Sequence, residues 1–160
     1  MVYTFAADVF MRSGKKSDFA DMIKIKKIKR VKKMVNTLAD TCNQLKNAEF
    51  ARMKEVIISP ASNLIQRVLR IFQKYAYIGE FERYDDGRQG KFKIALLGKI
   101  NECKALMRLN YKVSQFEALE RRLLPAPGLG VIILTTNQGV MTMKEAEEMS
   151  IGGHTLCYIY

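Results

Sequence analysis

Apolar residues recur along this chain with two different periods, and the switches between them mark the elements. Val35, Leu38, Cys42 and Leu45 keep helical spacing, with Asn36 or Thr37 available as a cap and Asp40 in the first turn. Glu55 to Ser59 then reads as a short strand that Pro60 ends. After it, Ser62 or Asn63 starts a second helix whose Leu64, Ile65, Val68, Leu69, Phe72 and Tyr75 face inward. Arg67, Arg70 and Lys74 fall on its wet side. Tyr77 to Tyr84 alternates in strand fashion, Asp86-Gly87 is a turn signal, and Lys91 to Leu97 returns as the partner strand. Helix, strand, helix, strand, strand in this order predicts one αβαββ module.

Beyond it the periodicity loosens. Gly98 to Cys103 reads as a linker, placing a boundary near residue 100. Leu109 to Val113 is a predicted strand, Ser114 is a cap for a helical stretch from Gln115 to Leu123, and Pro125 and Pro127 close that helix. Val131 to Leu134 is an unbroken run of large aliphatic residues, long enough for a core strand and too short for a helix. Four hydrogen-bonding side chains follow at once, Thr135, Thr136, Asn137 and Gln138, and then Gly139, where the backbone turns or a ligand comes close. The same residue types populate any hairpin turn, so the pattern alone leaves turn and contact surface both open. Thr142 caps a short helix, Met143 to Met149, with Glu145 at capping-box spacing. Gly152-Gly153 reads as a turn before a terminal strand, Thr155 to Tyr160. The predicted fold class is α+β in two small α/β modules: an N-terminal αβαββ module over 34–100 and a C-terminal antiparallel β module with short helices over 101–160.

Charge changes the picture from fold to partner. The 160 residues carry a net charge of +11 with a pI near 9.7, a balance that suits an acidic partner, either nucleic acid or an anionic membrane. Residues 1 to 34 hold ten Lys and Arg against three Asp, a net of +7, which leaves +4 for the remainder. Most of this excess lies in a basic extension over 1–33, where Ile23, Ile25, Ile28 and Val31 are interleaved with Lys24, Lys26, Lys27, Lys29, Arg30, Lys32 and Lys33. Such an arm suits phosphates, and a solvated tail reads the same way. The apolar start of the chain is interrupted by Asp8 and has its basic residues after it, the wrong order for a signal peptide. No run approaches the roughly 18 apolar residues of a membrane span, so a soluble, cytoplasmic protein without a membrane partner is expected. Cys42, Cys103 and Cys157 are odd in number and far apart, and read as reduced, mostly buried thiols.

A search for chemistry finds little. His154 is the one histidine and has no sequence-local carboxylate or thiol partner. Nucleophile elbows, phosphate loops and dinucleotide fingerprints are missing, and Gly128-Leu-Gly130 precedes a strand instead of following one. Asp85-Asp86 sits in a turn and Glu147-Glu148 on a wet helix face. No catalytic set, metal site, cofactor or small-molecule substrate is expected. A small basic α/β protein of this kind points to binding, with RNA the most economical target, because polar loops and glycine backbone follow an irregular groove and reach ribose hydroxyls.

Leu134 to Thr142, then Lys144-Glu-Ala146, Ile151-Gly-Gly153 and a terminal Tyr158-Ile-Tyr160, closely resemble the universal small-subunit ribosomal protein S-eight family. Its signature is a Ser/Thr-Thr-Ser-x-Gly-Val-Met-Thr segment, a short helix and a Gly-Gly turn. Asn36 to Ala48 resembles the family's first helix, Ile57 to Leu64 its strand and Pro-x-Ser helix start, and Gly79 to Glu82 its first hairpin strand. Phe116 to Pro125 resembles the archaeal and eukaryotic branch. The resemblance covers roughly Val35 to Tyr160 and leaves the basic extension without a counterpart.

What the resemblance implies is a structural constituent of the small ribosomal subunit that binds the central domain of its rRNA, helps that RNA fold and meets neighbouring small-subunit proteins. It also implies an rRNA-binding loop at Thr135, Thr136, Asn137, Gln138 and Gly139. Further contacts would come from Ser59, Ala61, Ser62 and Asn63 and from Gly152, Gly153 and His154. Asn137 replaces the commoner Ser, Asn63 stands at a usual Lys position, and His154 stands where bacterial members carry Glu. The unusual extension leaves a second reading, a non-ribosomal or organellar RNA-binding regulator on the same fold.

Overall fold

The helical spacing after Val35 becomes α1, Thr37–Phe50, in the computed structural model, which describes residues 36–160 apart from Asp86 and Arg88. Asn36 is its cap, the side chain accepting from the Ala39 amide. β1, Glu55–Ile58, follows, then α2, Asn63–Lys74, capped by the Ser62 hydroxyl, which accepts from the Ile65 amide at 3.2 Å. β2, Ile78–Tyr84, and β3, Lys91–Leu96, complete an antiparallel sheet of order β1-β3-β2. Tyr75 departs from the expected inward set: it is the C-cap of α2 and 39% exposed, because the helix ends before its ring can turn to the core.

The stretch expected as a linker is packed. Ile100 is buried and its amide donates to Glu49 Oε1 of α1, the Asn101 and Glu102 amides both donate to the Tyr160 carbonyl, and Cys103 already belongs to β4, Cys103–Ala105. β5, Asn110–Tyr111, is shorter than the predicted strand, because a 3-10 turn, Val113–Gln115, follows it immediately. Ser114 lies inside that turn and does not cap. The Gln115 side chain instead accepts from the Lys112 amide at 3.1 Å, and α3, Phe116–Leu123, continues from there. β6, Val131–Thr136, β7, Gly139–Thr142, α4, Met143–Glu148, and β8, Gly153–Ile159, complete the chain. The second sheet runs β4-β8-β6-β7, with β5 pairing the opposite end of the same β8 edge as β4.

Two cores explain why the run before Thr135 does not alternate. Val131 and Ile133 face a first core with Leu45 of α1, Phe72 of α2 and Phe92 of β3, whereas Ile132 and Leu134 face a second core with Phe116 and Leu119 of α3 and Ala146 of α4. A strand buried on both sides needs an aliphatic residue at every position. α1 lies against both β1 and β4, so the two sheets share the first core. Cys42, Cys103 and Cys157 are free, buried thiols of this core. Hydrogen bonding to Cys42, together with burial, holds the Cys103 and Cys157 thiols protonated well above the ordinary range.

Candidate nucleic-acid interface

β6 runs past the end of the second core, and that overrun creates the polar tip. Thr136 pairs with Gly139, leaving Asn137 and Gln138 as a two-residue hairpin loop. The Thr136 hydroxyl closes this loop: it accepts from the Gln138 amide and donates to the Gly139 carbonyl, both at 3.2 Å. Gly139 has φ of +127°, a backbone state that side-chain-bearing residues rarely adopt. The stretch is a tight turn, and its Thr135, Thr136 and Asn137 also line a groove.

The floor of the groove is the first part of β8. His154 lies between Asn110 of β5 and Thr135 of β6, and Gly153 lies opposite Tyr111. A Cβ on Gly153 would sit 2.7 Å from the Thr135 carbonyl oxygen, and one on Gly152 would sit 2.7 Å from the Tyr111 carbonyl oxygen. These glycines therefore let two strands close in on a third. They do not form the expected turn, which falls earlier, where Ser150 takes φ of +56° after α4.

The resulting concavity has a volume of about 520 Å³ and is lined by Asn110, Tyr111, Lys112, Val113, Thr135, Thr136, Asn137, Ser150, Gly152, Gly153 and His154. Six of the expected contact residues thus converge on one groove. Gln138 and Gly139 sit at the hairpin tip without lining it. Ser59, Ala61, Ser62 and Asn63 are gathered separately at the start of α2, where the Ala61 amide donates to the Gln89 and Gly90 carbonyls and Ser62 serves as the cap. Lys24, Lys26, Lys27, Lys29, Arg30, Lys32 and Lys33 lie outside the described residues.

Asn110, Tyr111, Lys112, Val113 and Ser150 were not singled out by sequence. The sequence predicts a strand over 109–113, but what brings it to the groove is its pairing with β8, which no local pattern encodes, and Ser150 arrives from the turn after α4. Lys112 is the only lysine or arginine among the lining residues, and no carboxylate lines the groove. Among the described residues, the side chains of Thr135, Asn137 and His154 make no hydrogen bond within the chain. Donors and acceptors thus stand free on a concave wall, an arrangement suited to ribose hydroxyls and base edges. Among the described residues, no three His, Cys, Asp or Glu side chains have the geometry to hold a metal ion, and no helix is long and apolar enough to cross a membrane.

Glu145 braces the hairpin from behind. Its carboxylate accepts from the Thr142 amide at 3.0 Å while the Thr142 hydroxyl accepts from the Glu145 amide, the capping box expected at this spacing. The same carboxylate takes the Lys74 ammonium of α2 at 2.5 Å. Lys74, and then the Thr142 amide, lower its pKa below the ordinary carboxylate value.

A family model described as Ribosomal protein S8 matches residues 36–160. The chain belongs to the ribosomal protein S8 family. Ribosomal protein S8 is a structural, rRNA-binding component of the translation apparatus, and the resemblance carried by the hairpin, the capping box and the Gly-Gly pair is thereby borne out. The S8 match begins at Asn36, the cap of α1, and spans both sheets; residues 1–35 precede it.

Proposed function

We propose that this S8 protein binds the central domain of small-subunit rRNA, helps it fold during subunit assembly in the cytoplasm, and stays there beside neighbouring small-subunit proteins. The groove at the start of β8 carries the reading: Thr135, Asn137 and His154 point free hydrogen-bonding groups into a concave wall, with Lys112 at its side. In this reading Asn137 offers an amide where the family commonly has a hydroxyl, keeping a donor and an acceptor. Tyr111 adds a half-buried ring whose face suits an unstacked base. Gly152 and Gly153 act through the backbone, by letting the strands close. Ser59, Ala61, Ser62 and Asn63 provide a second contact from the first module, and the basic extension adds phosphate contacts. The division at about residue 100 belongs to the same reading, with the C-terminal module supplying most of the contact.

Sedimentation of cell extract containing a tagged full-length chain tests the reading. It predicts the chain in small-subunit and whole-ribosome fractions. Confinement to ribosome-free fractions, or to an organelle, overturns it.

A further inference from the structure

We propose that the outward face of α2 is a separate RNA-contacting surface that grips the sugar-phosphate backbone through Arg67 and Arg70. The proposal rests on the reading of this chain as an rRNA binder. α2 contains no Asp or Glu between Asn63 and Lys74. Its four inward residues, Ile65, Val68, Leu69 and Phe72, are at most 1% exposed, which fixes the rotation of the helix and aims Arg67 and Arg70 at solvent. Asn63, Arg67, Arg70 and Lys74 follow one another at intervals of three or four residues and so form a single stripe, about 16 Å long from end to end.

Like charges at these spacings repel. A helix that needs only solubility relieves the repulsion with an acid one turn away, as α3 does where Glu117 takes Arg121 at 2.5 Å. α2 has no such internal partner. Lys74 is engaged by Glu145, but among the described residues neither guanidinium has an ion pair or hydrogen bond. The stripe therefore retains two unneutralised forks of the kind that match phosphate oxygens two at a time. Continuity strengthens the assignment. The stripe starts at Asn63, in the loop already expected to meet RNA, and α2 lies against β7, one strand of the hairpin that rims the groove. An RNA strand leaving the Ser59–Asn63 loop along α2 meets Arg67 and then Arg70.

Binding of the full chain to a central-domain small-subunit rRNA fragment, followed by fluorescence anisotropy across a salt series, tests this. Arg67→Gln/Arg70→Gln is expected to weaken binding about tenfold at low salt. It should also reduce the slope of log affinity against log salt by about 1 to 2, with the same loss on an unrelated duplex. A charge-matched Arg121→Gln/Arg122→Gln variant on α3 should leave the slope within about 0.5 of wild type. Equal slopes for Arg67→Gln/Arg70→Gln and wild type overturn the proposal. So does an equal loss in the α3 variant, which would make the effect one of net charge. If Arg67→Gln/Arg70→Gln keeps the wild-type slope yet leaves ribosome fractions, the face belongs to an acidic protein neighbour and the proposal also falls. Thr135→Val/Asn137→Ala in the same series separates this from the functional reading: unchanged affinity there contradicts the groove, whatever the arginines do.

Discussion

Thr135 and Thr136 are adjacent and of one type, yet they do different work. The Thr136 hydroxyl is consumed by the hairpin, bonded to Gln138 and Gly139, whereas the Thr135 hydroxyl has no partner among the described residues. Thr136→Val should lower stability by about 1 kcal/mol in urea titration, because the turn loses its closing bonds. Thr135→Val should stay within about 0.5 kcal/mol of wild type. Gly153→Ala places a methyl 2.7 Å from the Thr135 carbonyl, and backbone is a poor thing to push. It should cost about 1–3 kcal/mol, read as a lowered urea midpoint with an unchanged slope. Sequence reads Gly152-Gly153 as a turn, whereas the turn falls at Ser150 and both glycines lie against neighbouring backbone. Crowding of Gly152 by Tyr111 and of Gly153 by Thr135 depends on strand register, which no local pattern encodes.

At the scale of elements, what was legible was what is locally determined. α1, α2, β1, β2 and β3 follow periodicity, caps and a turn signal, and the capping box at Thr142 and Glu145 was readable from spacing alone. β4 was not, because a three-residue strand exists only through pairing with β8, and the strand predicted over 109–113 is cut to β5 by the 3-10 turn that follows it. The link between α2 and α4 was equally hidden. Lys74 and Glu145 are 71 residues apart in the chain and meet at 2.5 Å. Glu145 titrates from a lowered pKa in the folded state, so its carboxylate adds stability that is fully present above its ordinary value of 4.5. That stability is lost as pH falls through the lowered folded value. Thermal melts of wild type and Glu145→Gln should therefore differ at pH 6 and converge on acidification below 4.5. A difference that persists unchanged into strong acid would remove the Lys74 pairing from the account.

For the whole molecule, charge and shape are divided between different parts of the chain. Of the net +11, residues 1–34 carry +7, while the groove is lined mainly by neutral polar groups. Removing residues 1–33 should flatten the salt dependence of RNA binding and leave discrimination between RNAs intact, because lost cations release fewer counterions. An unchanged slope would place the extension away from RNA. The groove itself is held by strands whose inner residues fill both cores, so its walls are rigid where its tips are polar.

Equilibrium binding of the full chain to the central-domain rRNA fragment, wild type against Thr135→Val/Asn137→Ala at fixed salt, tests whether the groove at the start of β8 holds the RNA. Loss of two or more hydrogen bonds predicts affinity weaker by about tenfold or more, with the salt slope unchanged. Equal affinity of the two proteins for that fragment would contradict the account.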